Sequence, residues 1–344
     1  MSVDINKNQI YNETKKQKGG ISLSESAFGT VLLYVILFCA LMLPGYILAK
    51  TEKFTESAVP TISNILINIA MPTLVFTKIA SIDITSVNPY YVAISAILPV
   101  VLEYAVYGIS LILCKSEKNV CILRASSLCA VFSNCGFLGI PLAAAIWSDM
   151  PQIVLYISVF NCVSTFQLLT LGKYILIGDI RCICAKRILT NPVLLSIIAG
   201  LTLSVADITP KIDIILTYSG YLASLATPLS MLILGYELSK IKLTKVIKSA
   251  SLVKSVFLKL VVSPAIAMLL VIGAHFLGIK ISQDICYAML ISSAVSTAAS
   301  APSMCALYGA DSEFAAGITV STTLFSVISL PVMYLIIESI LKLI

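Results

Sequence analysis

The chain has 344 residues, 58% of them hydrophobic and 12% charged, with a mean hydropathy of +0.99. Soluble domains carry about 25% charged residues, so the composition excludes a soluble globular protein and indicates an integral membrane protein. The net charge of +6 does not point to nucleic acid, because the 23 Lys and Arg are scattered through loops, where they act as topology signals.

In chain order, residues 1–27 are polar, lack periodicity and read as a disordered tail. Phe28–Ala49 is too long for a signal-peptide core and has no small-residue cleavage site after it, so it is expected to be the first permanent span. A helix needs about 20 apolar residues to cross the hydrocarbon core. That criterion predicts ten spans, at 28–49, 59–80, 90–114, 125–147, 152–177, 192–206, 218–239, 251–273, 285–308 and 313–341, the sixth short and the tenth long. Uninterrupted apolar runs of this kind are helices, not barrel strands.

Loop charges orient the chain. The loops after spans one, three, five and seven carry Lys50 and Lys53; Lys115, Lys118 and Arg124; Lys173, Arg181, Lys186 and Arg187; and Lys240, Lys242, Lys245, Lys248 and Lys254. The intervening loops carry only Lys78, Lys211 and Lys280. The excess places the first set in the cytoplasm and both termini outside.

The two halves repeat. Met71-Pro72-Thr73-Leu74 in span two and Thr227-Pro228-Leu229-Ser230 in span seven are 156 residues apart by their prolines. Span four contains Ser133-Asn134-Cys135-Gly136-Phe137-Leu138-Gly139-Ile140-Pro141, and span nine contains Ser296-Thr297-Ala298-Ala299-Ser300-Ala301-Pro302-Ser303. Pro141 and Pro302 are 161 residues apart. Five spans per repeat is an odd number, so the second copy enters the membrane from the opposite side. The expected organisation is a first five-helix repeat at 28–177, a short cytoplasmic linker at 178–191 and an inverted repeat at 192–344. Paired helix breaks at corresponding positions point to a transporter's binding site.

Pro141 removes a backbone donor, and Gly136 and Gly139 ease unwound conformations. Each break would expose a half-helix N-terminus, carrying about +0.5 charge, as an anion site. Asn134 is the polar side chain nearest the first break, with Ser300 and Ser303 beside the second; each is expected to bond substrate or to satisfy freed backbone groups. Asn161 and Gln167 in span five, and Asn68 one turn after Asn64 in span two, are weaker candidates, since intramembrane amides often only join helices. Glu103, an acid near the middle of span three, is a candidate for carrying a coupling proton or for a structural role. Lys259 is expected to snorkel towards the cytoplasmic face, and Glu237 to lie at the interface.

Cys39, Cys129, Cys135, Cys162, Cys286 and Cys305 fall within apolar spans and read as small hydrophobes. Cys182 and Cys184 have no second pair, and His275 is the single histidine, so neither zinc nor another cofactor is expected.

Ala70–Phe76, Asn134–Pro141, Asn191-Pro192, Thr227-Pro228-Leu229 with Gly235, and Ala301-Pro302, in this order, make the chain resemble the auxin efflux carrier family over about residues 28–342. That family includes the plant PIN-FORMED auxin exporters and bacterial malate or malonate permease-like proteins. The resemblance implies an all-α membrane protein of ten transmembrane helices in a five-plus-five inverted repeat, with crossing broken helices four and nine. It also implies a scaffold and a transport domain that slides in an elevator motion. Asn134 matches the family's crossover asparagine, and Pro141 and Pro302 match its crossover prolines. The long cytoplasmic loop of the plant exporters is replaced by 178–191, so the compact form is closer to the prokaryotic members.

The expected function is secondary transport of small organic carboxylate anions across the cell membrane, with proton or sodium coupling and a homodimer as the assembly considered. The rivals are a cation-coupled carrier of bile-acid-symporter or sodium/proton-antiporter type and a non-transporting membrane sensor with this fold. An enzyme is not expected, because no nucleophile–base pair is apparent.

Overall fold

The computed structural model describes residues 27–80, 82, 87–148, 150–178, 190, 192–205, 213–240 and 249–341. The polar tail up to residue 26, Cys182 and Cys184, Asn191, Lys211 and the lysines at 242, 245 and 248 lie outside the described residues.

Twelve helices make up the described part. They are α1 (Ala27–Lys50), α2 (Ala58–Ala80), α3 (Pro89–Leu113), α4 (Val120–Val131), α5 (Cys135–Ile146), α6 (Pro151–Ile177), α7 (Pro192–Val205), α8 (Asp213–Ser239), α9 (Ala250–Phe276), α10 (Gln283–Ala294), α11 (Ala301–Leu307) and α12 (Ser312–Leu341). Seven of them, α1, α2, α3, α6, α8, α9 and α12, are long and apolar enough to cross a membrane. Expected spans four and nine are each divided between two shorter helices, α4 with α5 and α10 with α11, and the sixth is the 14-residue α7.

Several boundaries shift from the hydropathy reading because capping, not apolarity, starts a helix. Asn119 accepts a hydrogen bond from the Cys121 amide at 2.9 Å, so α4 begins five residues before Ala125 and includes Arg124. Asn88 caps α3 through the Tyr90 amide at 3.0 Å, and Ser249 and Ser282 cap α9 and α10. α8 begins at Asp213, five residues before the expected Tyr218. It is interrupted at 224–225, just ahead of Pro228, and α2 contains a wide π-turn at Leu66–Ala70 just ahead of Pro72. A proline denies the preceding turn one hydrogen bond, and helices bend or loosen there.

The helices pack in two groups. α1 and the second half of α8 form the most extensive pair, and α2 packs on α7 and on the first half of α8. The α1–α8 seam brings backbone against backbone. A Cβ at Gly235 would overlap the Met42 carbonyl, and one at Gly45 would overlap the Leu232 carbonyl. Glycine is required at such a crossing because in lipid the helices gain mainly from close van der Waals approach. The second group joins α3 to α6 and α4, α10 to α6, and α12 to α10 and α11. The crossover lies within this second group and faces α2 and α7 of the first.

Candidate functional site at the crossover

The chain is unwound at two places inside the bundle, between α4 and α5 and between α10 and α11. Phe132, Ser133 and Asn134 run extended past Ser296, Thr297 and Ala298 in an antiparallel bridge. The Asn134 amide donates to the Ser296 carbonyl at 2.8 Å, and the Ala298 amide donates to the Phe132 carbonyl at 3.0 Å. Backbone groups freed at membrane depth need partners, and here the two breaks satisfy each other. Thr297 locks the second strand: its amide donates to Thr322 Oγ1 at 3.1 Å and its hydroxyl to the Cys129 carbonyl at 2.9 Å.

The first unwound stretch ends at Asn134, earlier than the glycines and proline suggested. Its carbonyl accepts from the amides of both Leu138 and Gly139 at 3.1 Å, which starts α5 as a five-residue π-turn, Cys135–Gly139. Gly136, Gly139 and Pro141 therefore lie inside α5, not in unwound chain. Pro141 is buried in the second turn and cannot mark the half-helix N-terminus expected of it. Pro302 occupies the first turn of α11, where a missing N–H costs nothing.

A cavity of about 240 Å³ opens at the crossover. Its polar wall is formed by Ser133, Asn134, Asn161, Ser164, Thr165 and Ser300. Its apolar wall includes Phe137 and, from the first helix group, Ile67 and Met71 of α2 and Pro192 and Val193 of α7. The cavity thus lies in the seam between the two groups. It is somewhat smaller than pockets for drug-sized ligands, which run from about 300 to 1,000 Å³. Among the described residues no charged side chain lines it. Asn134 is 4% exposed, and its Nδ2 has no hydrogen-bond partner among the described residues. An unpaired buried amide costs about 1–3 kcal/mol, which a ligand acceptor would recover.

Of the sequence-predicted residues, the structure places Asn134, Gly136, Asn161 and Ser300 on the cavity wall. At Gly136 a Cβ would stand 3.4 Å from Asn161 Oδ1 of α6, an ordinary contact. Gly139, Pro141, Pro302 and Ser303 do not line the cavity. Asn68 is exposed on α2 and donates to the Asn64 carbonyl of its own helix at 3.0 Å. Gln167 lies behind the wall, its Nε2 bonded to the Pro99 carbonyl at 3.3 Å and to Glu103 Oε2 at 2.5 Å. Glu103, 1% exposed, also accepts from the Ser164 hydroxyl at 2.5 Å, so it reaches the cavity through one residue of its wall.

Lys259 overturns its expectation. It does not snorkel to the cytoplasmic face: it is 0% exposed, and its Nζ donates to Ser133 Oγ at the crossover. Hydropathy could not show this, because direction along the helix depends on which neighbour offers an acceptor. Ser164 and Thr165 were also missed. With Asn161 and Leu168 they occupy positions i, i+3, i+4 and i+7 of α6, one helical face, and that periodicity is the signal that could have found them.

The model of a family described as membrane transport proteins matches the chain twice, at residues 30–181 and 176–334. The two matches divide the chain as the repeat does. An archaeal protein of Methanothermobacter thermautotrophicus, described as an uncharacterized transporter, is 25% identical over 259 residues, covering 73% of this chain and 82% of its own. The paired breaks, the cavity between them and the double family match converge: the chain is a membrane transporter and belongs to the membrane transport protein family, the auxin efflux carrier family its motifs resemble.

Proposed function

We propose that the chain is a secondary transporter of small organic carboxylate anions, working by an elevator motion of the crossover group against α1, α2, α7 and α8. The observation that carries this reading is a small cavity at the seam between the two groups whose wall includes Asn134, a residue with an unpaired side-chain amide. A carboxylate is acceptor-only, and the donors the wall can offer it are the Asn134 N–H and the hydroxyls of Ser133 and Ser300; those of Ser164 and Thr165 already donate to Glu103 and to the Asn161 carbonyl. A seam that is polar and hollow at the crossover lets one group move past the other with little loss of packing. The proposed arrangement is the ten-span inverted repeat, in the cell membrane with both termini outside. Impermeant thiol labelling of Ile214→Cys but not of Lys118→Cys is the expected topology.

Counterflow of radiolabelled malonate into proteoliposomes tests the function. The expected result is saturable uptake stimulated by malonate or malate inside. No counterflow across a panel of mono- and dicarboxylates would refute the carboxylate reading. Glu103, held to the cavity wall through Ser164, is proposed as the proton-coupling acid. Glu103→Gln should abolish accumulation driven by a pH gradient while leaving exchange intact; accumulation at the wild-type level would assign Glu103 a structural role.

A further inference from the structure

Three buried polar atoms at the crossover have no hydrogen-bond partner among the described residues. They are Asn134 Nδ2 in the first unwound stretch, Ser296 Oγ in the second and Ser292 Oγ in the last turn of α10. Asn134 is 4% exposed and both serines are 0% exposed.

The backbone brings the three together. Ser133 faces Thr297 in the antiparallel bridge, and the Asn134 amide donates to the Ser296 carbonyl at 2.8 Å, so Asn134 stands opposite Ser296. Successive side chains of extended chain point to opposite sides. Those of Ser133 and Thr297 therefore leave on one side of the bridge, where Lys259 and the Cys129 carbonyl already engage them. Those of Asn134 and Ser296 leave together on the other. Opposite residues of an antiparallel pair have Cβ atoms about 4.5–5.5 Å apart, close enough for one small molecule to touch both side chains. Ser292 joins them through the next residue of the first stretch, because the Cys135 thiol donates to the Ser292 carbonyl at 3.4 Å.

The chemistry of the atoms selects the molecule. An amide N–H only donates, whereas a seryl hydroxyl both donates and accepts. A metal cation gains nothing from the amide hydrogens, and the Lys259 ammonium across the same two strands opposes a second positive charge. Neither serine lines the cavity, so the transported ligand does not reach them. A water accepts from the amide and exchanges one hydrogen bond with each serine, and three bonds is the usual complement of a buried water.

We propose that Asn134, Ser296 and Ser292 share one buried water, which holds the Asn134 side chain in the orientation that meets the ligand. Ser296 and Ser292 are positioning residues that act through Asn134. The amide carries two hydrogens; the water takes one and the other remains for an acceptor in the cavity. A side chain fixed beforehand loses less freedom when the ligand binds, which raises affinity. The role in binding rests on the reading of Asn134 as the residue that bonds the transported anion; the shared water does not.

Double-mutant cycles test both parts. Ser296→Ala should weaken malonate binding, read as thermal stabilisation of the purified protein, by about fivefold, the worth of one neutral hydrogen bond. Ser292→Ala, the second variant, should shift it in the same direction. In an Asn134→Ala background Ser296→Ala should cause no further loss; the same loss in both backgrounds overturns the positioning role. Without ligand, the double variant Asn134→Ala with Ser296→Ala should lower the melting temperature by less than the two single losses added together. A full sum overturns the shared water. Stabilisation by malonate that needs sodium in the wild type, but not in Ser296→Ala, would make the bound species a cation and overturn the proposal. If no carboxylate binds, the carboxylate reading fails and the melting temperatures still decide on the water.

Discussion

The two breaks of the crossover share a backbone pattern and divide the chemistry between them. At the second break Thr297 bonds Thr322 and Cys129 at once and the backbone of Ser296 and Ala298 pairs with the first strand, while the buried Ser296 hydroxyl has no partner among the described residues. At the first break the backbone is satisfied in the same way, and Asn134 Nδ2 is left without a partner among the described residues, on a residue that lines the cavity. What separates the two breaks is that Asn134 lines the cavity and Thr297 does not, so the proposed division is binding duty at Asn134 and structural duty at Thr297. In this proposal two similar breaks differ in their side chains, Thr297 as the lock and Asn134 as the reader.

The largest effect should come from Asn134→Ala. A hydrogen bond to a charged group contributes about 1.5–3 kcal/mol, so carboxylate affinity in a proteoliposome uptake assay should fall about tenfold or more, with membrane abundance maintained. Wild-type uptake by this variant would move the reader elsewhere. Thr297→Val should do the reverse. It removes the donor to the Cys129 carbonyl and should lower thermal stability by about 1 kcal/mol while sparing affinity; a drop in affinity without one in stability would erase the division of labour.

The prolines sharpen the comparison further. Pro302 stands in the first turn of α11, so Pro302→Ala should cost only about 0.4–1 kcal/mol, through greater freedom of the unfolded chain. Pro141 lies within α5, past the unwound stretch, so Pro141→Ala should leave uptake at the wild-type level and cannot heal the break. Transport lost with Pro141→Ala would show that the helix interior takes part in binding.

The smallest effect concerns the first turn of α9, where Ser251 donates to Glu117. The Ser251 hydroxyl, first, and the Asn119 amide hold the Glu117 carboxyl below the usual carboxylate range. A depressed carboxylate contributes stability above its unfolded pKa and loses it as pH falls through the folded value. The wild type should therefore lose slightly more stability on acidification than Glu117→Gln. Because Glu117 faces solvent, the difference should be about 0.5 kcal/mol or less in thermal melts across the acid range.

Much of the fold was legible in the chain. Apolar length located the helices, and the Pro72–Pro228 and Pro141–Pro302 spacings revealed the repeat. The place of Asn134 on the cavity wall was legible because it is the polar side chain nearest the first break. Gly139 and Pro141 misled about where the chain unwinds, since helix-breaking residues lower the cost of a break without deciding its position. The bridge to Ser296 and Ala298 decided it, by giving Phe132 and Asn134 better partners than their own helix could.

Composition and periodicity by themselves determined that this protein lives in a bilayer, crosses it as helices and folds as two related halves. These properties follow from apolar length and residue type, which are local. Only the tertiary structure decided that Lys259 turns inward to Ser133, that Ser164 and Thr165 join the cavity wall, and that Gly45 and Gly235 face opposing backbones. The physical reason is that a polar group inside a membrane goes to whatever partner the packing brings within reach, and those partners lie on helices distant in sequence.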